Sequence, residues 1–363
     1  MIHIAIGTKA QFIKMAPVMQ RLQAEKIEFN LIDLGQHSLI TRDLREEFNL
    51  KEPDVYLSQG ENVSRLSKGL MWLIKLILRG LNDEWLRKKV FLNRKGICLI
   101  HGDTVSTLLA LYLARRAGIK VAHIEAGLRS YNYFEPFPEE ILRVISMRLS
   151  DILFAPSAWA LENLKRMGLE KKSILISGNT SYESTLYSLN KKVDLDLNLE
   201  EFVLMAVHRI ENIFLRRRLE FIINLVSKIS NNFPIIFVQH PPTINQLKRF
   251  KLQEELNKIK NIYFLKILSH AHFIHLVNSC KFVITDGGSI QEESFYLNKP
   301  CLLLRSFTER REGIEENVVL SKFSLKMIIY FLDNYEKFKR CTPLNIHVEP
   351  SEEIIDYLSN YIE

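Results

Sequence analysis

Residues 97–129 read ICLIHGDTVSTLLALYLARRAGIKVAHIEAGLR, and this stretch decides the fold. Ile97–His101 and Val121–Ile124 are short apolar runs, while 106–117 between them carries apolar residues at helical spacing. Strand, helix, strand is a βαβ unit, and a crossover helix obliges its two strands to run parallel.

The alternation continues in both directions. Ile2–Ile6 and Phe29–Leu34 read as buried strands upstream, and Ile152–Ala155 and Ile174–Ser177 follow downstream. A second series starts near residue 200 with Phe202–Ala206, Ile235–Val238, Ile262–Leu265, Phe282–Thr285 and Cys301–Leu304. Segments 158–167, 215–229 and 291–297 have helix-type spacing. These strands outnumber what one open sheet usually holds, so the reading is α/β with two doubly wound Rossmann-like domains facing across a cleft. The polar run KKVDLDLNLEE at 191–201 looks like the junction. Ligands of such sheets bind beyond the carboxyl ends of the strands, which makes the residues just after each strand the candidates.

The chain has 363 residues, 47% hydrophobic and 25% charged, an ordinary composition for a globular protein of two domains. Lys plus Arg is 49 against 42 Asp plus Glu, a net charge of +7. That excess suits an anionic small molecule and is too dispersed for nucleic acid; the run Arg216-Arg217-Arg218 reads as a solvated helix face. Cys98, Cys280, Cys301 and Cys341 show no CxxC spacing, so no disulfide framework or zinc knuckle is expected. MIHIAIGTKA at the start reads as a first strand rather than a signal peptide, and the cytoplasm is the expected compartment. The segment Gly69–Leu81 is the most membrane-like. It is short and interrupted by Lys75 and Arg79, so no integral membrane segment is expected; it reads as a helix lying against the domain or touching a membrane surface.

Several strand ends carry chemistry. Gly7-Thr8-Lys9-Ala10-Gln11-Phe12-Ile13-Lys14 follows the first strand, with two lysines placed to meet an anion at a helix N-terminus. Neither GxGxxG nor a P-loop pattern is present. His101-Gly102-Asp103-Thr104 ends another strand, where either of the last two residues also serves as an ordinary N-cap. Glu125 follows the next, and Glu139 and Glu140 open a helix after Pro138, with Arg143 one turn on. Asp103, Glu125 and Glu139 thus arrive at one rim, a pattern suited to general acid/base work. In the second half, His208-Arg209 and His240 close strands, and Asp286-Gly287-Gly288-Ser289 forms a cradle for a pyrophosphate at a helix start. Glu292 or Glu293 is placed to accept bonds from ribose hydroxyls, and Thr308-Glu309-Arg310-Arg311 adds cations. His270-x-His272-x-x-His275 lacks a carboxylate or cysteine at ligand spacing, so no metal site is assigned to it.

In ordered combination these motifs resemble the non-hydrolysing UDP-N-acetylglucosamine 2-epimerases. The match runs through GTKAQFIKMAP (7–17), HGDT (101–104), HIEAGLRS (123–130), PFPEEILR (136–143), SGNT (177–180), HRIEN (208–212), DGGSIQEE (286–293) and TERREG (308–313). The resemblance implies a glycosyltransferase-B-like fold and reversible inversion at C2 of UDP-GlcNAc to UDP-ManNAc, with no nicotinamide cofactor and no metal. It implies elimination of UDP to 2-acetamidoglucal and its re-addition, in surface polysaccharide synthesis. Asp103, Glu125 and Glu139 would be the carboxylates of the chemistry, with His208 assisting UDP departure. Lys9, Lys14, Arg143, Arg209, His240, Gly288, Ser289, Glu293 and Arg310 would bind substrate or hold the site. The corresponding domains are 1–178, carrying the carboxylates, and 179–345, binding UDP; a helix in 346–363 is expected to pack back on the first. A homodimer is implied likewise.

The chain departs from the family pattern at Lys9 and Ala10, where GTRP is usual, and at Ile210, where a second arginine is usual. The hydroxyl of the usual DSGG is moved to Ser289. Gln36 and His37 match a regulatory Gln-His motif, while Leu39 stands where a second glutamine can occur. A related UDP-N-acetyl sugar, a hydrolysing epimerase, a transferase of the same fold and a non-catalytic binding protein remain the alternative readings.

Overall fold

Apolar segments pair as parallel strands in both halves of the chain. The computed structural model describes every residue except 36–37, 59–65, 135, 196–198, 341–343, 345–347 and 363. The regulatory match Gln36-His37, and Cys341, therefore lie outside the described residues. The chain divides into two units, Met1–Ser184 with Ile346–Glu363, and Thr185–Asn345.

The first unit holds β1 (Ile2–Ile6), β2 (Phe29–Asp33), β3 (Val55–Tyr56), β4 (Ile97–His101), β5 (Lys120–Ile124), β6 (Ile152–Ala155) and β7 (Ser173–Leu175). They lie in the order β3-β2-β1-β4-β5-β6-β7 with parallel pairing. The second holds β8 (Val203–Ala206), β9 (Ile235–Val238), β10 (Ile262–Leu265), β11 (Val283–Thr285), β12 (Cys301–Leu303) and β13 (Val318–Leu320), in the order β10-β9-β8-β11-β12-β13, also parallel. The fold class is thus α/β with two doubly wound sheets. β3 and β13, of two and three residues, escape the sequence reading.

Each sheet reverses its strand order once, between β1 and β4 and between β8 and β11, where a crevice opens beyond the strand ends. Residues of β8 alternate between two apolar layers: Val203 and Met205 pack with Ile222, Val226 and Phe282, whereas Leu204 and Ala206 pack with Leu276, Val277 and Leu303. Helices on both faces keep the strands buried, which holds their carboxyl ends in place.

The division between units falls inside the helix Ser181–Leu189, ahead of the polar run at 191–201. A helix makes a good crossing because its backbone groups are satisfied internally. Its first half belongs to the first unit, where Ser184 Oγ donates to Ile13 O. Glu183 there accepts from Ser351 N (3.0 Å) and Oγ, and so caps the helix Pro350–Ile362. That helix buries Ile354, Ile355 and Leu358, and Arg21 pairs with Glu349 and Glu352 beside it. Burial pushes the Glu183 carboxyl up to about 7.

The helix Leu66–Arg79 buries Trp72 and Leu76, and Trp72 Nε1 donates to Leu34 O at 2.9 Å. Its other face exposes Leu70, Met71, Ile74 and Leu78. Among the described residues no helix is long and apolar enough to cross a membrane. Cys98, Cys280 and Cys301 are buried, and burial pushes each thiol up to about 12, so they pack as small hydrophobes.

Candidate active site

Gln11 sews together the two loops at the first reversal of strand order. Thr8 caps the helix Lys9–Ala24, and Gln11 at the third helical position completes the capping box. Its Oε1 accepts from Gly7 N (3.0 Å), Thr8 N (3.1 Å) and Ser106 Oγ (3.0 Å). Its Nε2 donates to His101 O (3.0 Å), Thr104 Oγ1 (3.0 Å) and Thr107 Oγ1 (2.8 Å). The loops approach so closely that a Cβ on Gly7 would stand 2.3 Å from Ser106 Cβ. Position 7 therefore requires glycine.

Three residues on from Gln11, Lys14 is buried and donates to Glu125 Oε2, which Asn179 Nδ2 also reaches. His101 Nε2 stands 3.7 Å from the same oxygen. Glu125 has φ of 67°, a left-handed conformation that costs a non-glycine residue energy and is typical of functional turns. Asp103 follows Gly102 (φ 68°) and accepts from Arg143 Nη2. Arg143 is buried, and its Nη1 donates to Glu140 Oε2 at 2.6 Å. Glu140, fully buried, also takes Arg129 Nε on Oε1 and Ser130 N on Oε2 at 3.2 Å. Arg143 is thereby braced between two carboxylates, which fits holding geometry better than reaching for a diphosphate. Glu139 begins the same helix, half-buried, one turn before Arg143. Lys9 is the first residue of its helix and partly exposed.

His123 on β5 underpins Asp103. Its Nε2 lies 2.7 Å from Gly102 O and so carries the proton, while Nδ1 is buried without a partner among the described residues. Burial lowers its pKa to about 4. An unfolded histidine takes a proton near 6.5, whereas this one resists until about 4. The unfolded chain therefore binds more protons across that window, and stability falls as pH drops through it by about 3 kcal/mol from this residue. His3, lowered to about 4 chiefly by desolvation, acts in the same direction. Glu183, raised from 4.5 to about 7, acts in the opposite one. Urea unfolding of His123→Asn between pH 7 and 4 should show a shallower loss than the parent; an unchanged slope would mean that His123 titrates normally.

The second unit builds its site at the β8–β11 reversal. Asp286, fully buried, accepts from His208 N (3.0 Å), Arg209 N (3.0 Å) and Asn212 Nδ2 (2.9 Å), which ties the HRIEN loop to the end of β11. His208 stacks on His240 with ring centroids 4.4 Å apart. Desolvation lowers the His208 pKa, with Arg209 adding to it against the opposing pull of Asp286, so the imidazole is neutral at pH 7.

Gly287 precedes the helix Gly288–Tyr296, where a Cβ would stand 3.0 Å from His208 Cε1. A Cβ on Gly288 would come within 2.7 Å of Arg310 Nε. The glycines thus let His208 and Arg310 crowd the helix N-terminus that carries Ser289. Arg310 Nη1 donates to Glu292 Oε1 at 2.7 Å, and Glu309 lies between Arg305 (2.8 Å), Arg310 (3.7 Å) and Arg209 (3.8 Å). Glu292 is fully buried against Arg310, whereas Glu293 turns to His270 Nε2 at 3.2 Å.

The three histidines of the HxHxxH run diverge. His270 bonds Ser188 and Glu293, His272 bonds Ser269, and His275 bonds Lys191 O. Sequence reading assigned no bonding partners to Gln11, Asn179, Glu140, Asp286 and Glu309, although all five lie in the quoted motifs; Gln11 also carried a capping signal, as the third residue after a threonine.

Two doubly wound parallel sheets, with carboxylates at one reversal point and a cation-flanked glycine turn at the other, define an enzyme of the nucleotide-sugar class. The sequence matches the UDP-N-acetylglucosamine 2-epimerase family over residues 20–336. It is 33% identical over 343 residues to a UDP-N-acetylglucosamine 2-epimerase of Methanocaldococcus jannaschii, with 90% of each chain covered. It is 33% identical over 340 residues to one of Campylobacter jejuni, covering 88% of this chain and 84% of the other. The structure superposes with a TM-score of 0.87 at 29% identity on the M. jannaschii epimerase solved with UDP-GlcNAc and UDP, 99% of each chain being covered. It superposes at 0.81 and 26% on the Neisseria meningitidis enzyme bound to UDP-GlcNAc, again over 99% of both. The chain belongs to the UDP-N-acetylglucosamine 2-epimerase family. It is a sugar-nucleotide epimerase, an isomerase, with the glycosyltransferase-B-like fold of those neighbours.

Proposed function

We propose that the chain interconverts UDP-GlcNAc and UDP-ManNAc by inversion at C2, in the cytoplasm, to supply a surface polysaccharide. The observation that carries this reading is the pair of carboxylates at adjoining strand ends, Asp103 held by Arg143 and Glu125 held by Lys14. A C2 hydrogen is weakly acidic, so its removal needs a positioned base acting while the C1–oxygen bond breaks. The electron pair of the C2–H bond then forms the C1=C2 double bond, and UDP leaves with the negative charge. Arg209 and Arg310 and the helix N-terminus at Gly288–Ser289 stabilise that charge, and His208 assists departure and return of UDP. Re-addition of UDP at C1 with protonation at C2 from the opposite face completes the inversion, and acid/base groups on both faces come from Asp103, Glu125 and Glu139. No nicotinamide or metal enters this route.

Proton NMR of the protein with UDP-GlcNAc in deuterated water tests it. UDP-ManNAc bearing deuterium at C2 is expected. Free ManNAc with UDP would replace the proposal with a hydrolysing reaction, and an unchanged sugar would shift it to another UDP-N-acetyl sugar.

We further propose that the chain is a homodimer through the exposed face of helix Leu66–Arg79. Leu70, Met71 and Leu78 are 59%, 70% and 60% exposed there, a patch of the kind that marks an interface. A neighbouring groove of about 660 Å³, lined by Leu73, Ile77, Leu108, Tyr112, Leu142 and Leu149, offers a seat for the same apolar side chains of a second copy. Met71→Glu with Leu78→Glu should convert a dimer to a monomer by light scattering; a parent that is already monomeric refutes the assignment.

A further inference from the structure

Gly288 and Glu292 lie one turn apart on the helix Gly288–Tyr296, and both face Arg310. Ser289 and Glu293, each one residue further on, share the neighbouring face at the same i, i+4 spacing. Glu292 is engaged by a guanidinium, whereas Glu293 has an oxygen, Oε2, that is buried with no partner among the described residues. Behind Glu293 stands a second pair of side chains. His270 Nε2 lies 3.2 Å from Glu293 Oε1, and His270 Nδ1 lies 2.7 Å from Ser188 Oγ. Ser188, His270 and Glu293 are all buried, at 0%, 4% and 7% exposure.

The proton positions follow from the chemistry. An ionised carboxylate only accepts, so Nε2 carries the hydrogen and donates to Glu293. With the hydrogen on Nε2, Nδ1 accepts from the Ser188 hydroxyl. Each member fixes the next, as a backing carboxylate or carbonyl fixes a metal-binding histidine. The result is a carboxylate whose Oε1 is tethered and whose Oε2 is held in one direction.

We propose that His270, backed by Ser188, is a positioning residue that aims Glu293 at the vicinal hydroxyls of the bound nucleoside's ribose. This rests on the reading that the second unit binds UDP. The seat beside Ser289 suits it, since a diphosphate at the helix N-terminus leaves the ribose within reach of the next turn. The ligand chemistry recognised is a neutral diol that donates to a carboxylate, and the loss of aim costs affinity only for ligands that carry the diol.

Calorimetric titration of UDP and of 2′,3′-dideoxy-UDP into wild-type protein, His270→Phe, His270→Gln and Ser188→Ala is the test. His270→Phe fills the space without a suitable donor and should weaken UDP about tenfold while leaving the dideoxy compound unchanged. His270→Gln keeps an N–H donor and should recover most of the UDP affinity. Ser188→Ala, which removes one hydroxyl, should weaken UDP several-fold, again without effect on the dideoxy compound; it carries the test alone if His270→Phe does not fold. Equal weakening of both probes, or His270→Gln no better than His270→Phe, reduces the histidine to packing and overturns the proposal. Wild-type protein that binds neither probe sinks the UDP reading and this role with it. Wild-type protein that binds UDP, with variants that fail to discriminate, sinks this role alone.

Discussion

Asp103→Asn, Glu125→Gln and Glu139→Gln should each lower kcat by about 10²–10⁴-fold, the usual loss on removing a positioned acid or base. UDP affinity should change little, because the glycine turn and its cations belong to the other unit. The three variants separate by a second readout. A variant missing only the acid of one face still removes the C2 proton and returns deuterium from the face it left, so UDP-GlcNAc gains deuterium without inversion. A variant missing the deprotonating base gains none. Glu125→Gln also replaces the carboxylate that faces the buried Lys14 ammonium with a neutral amide, so a drop in stability should accompany its loss of rate. Asp103 is more exposed, with 19% of its side chain accessible, and its amide should fold more nearly like the parent. Near-wild-type turnover in all three variants would remove these carboxylates from the chemistry.

The strands were legible because parallel sheets covered on both faces demand nearly continuous apolar runs, and 97–101, 121–124 and 203–206 supply them. The positions of Asp103, Glu125, His208 and Ser289 followed, since a residue just after a strand goes where the strand points. Partner choice was not legible. Arg143 read as binding diphosphate or holding the site, and its partners, Asp103 and Glu140, are 40 and 3 residues away along the chain. Lys14 likewise meets Glu125, 111 residues away. Such pairings depend on how two strand-end loops approach, which Gln11 and the absent side chain of Gly7 determine. The bounds 1–178 and 179–345 lie six residues from the division between Ser184 and Thr185, whereas the polar run at 191–201 lies beyond it. A polar run is a reasonable linker, but the helix Ser181–Leu189 crosses with its own hydrogen bonds satisfied and needs no polar sequence to announce itself.

Arg143→Met should lower the unfolding free energy by about 3–5 kcal/mol at pH 7, more than the substitution of any exposed arginine. The methionine matches the stem but removes both donors. Glu140, fully buried, keeps Arg129 and the Ser130 amide, while its Oε2 loses the 2.6 Å bond and the charge behind it. Glu140 then keeps the Arg129 guanidinium, while Asp103 loses the one that held it. Urea unfolding of parent and variant at pH 7 measures the deficit. Arg143→Lys separates charge from geometry: it restores one cation without the fork that spans Asp103 and Glu140, and so should recover only part of the loss. A deficit below about 1 kcal/mol at pH 7 would mean that Arg129 alone balances Glu140, leaving Arg143 free to serve a ligand's phosphate instead.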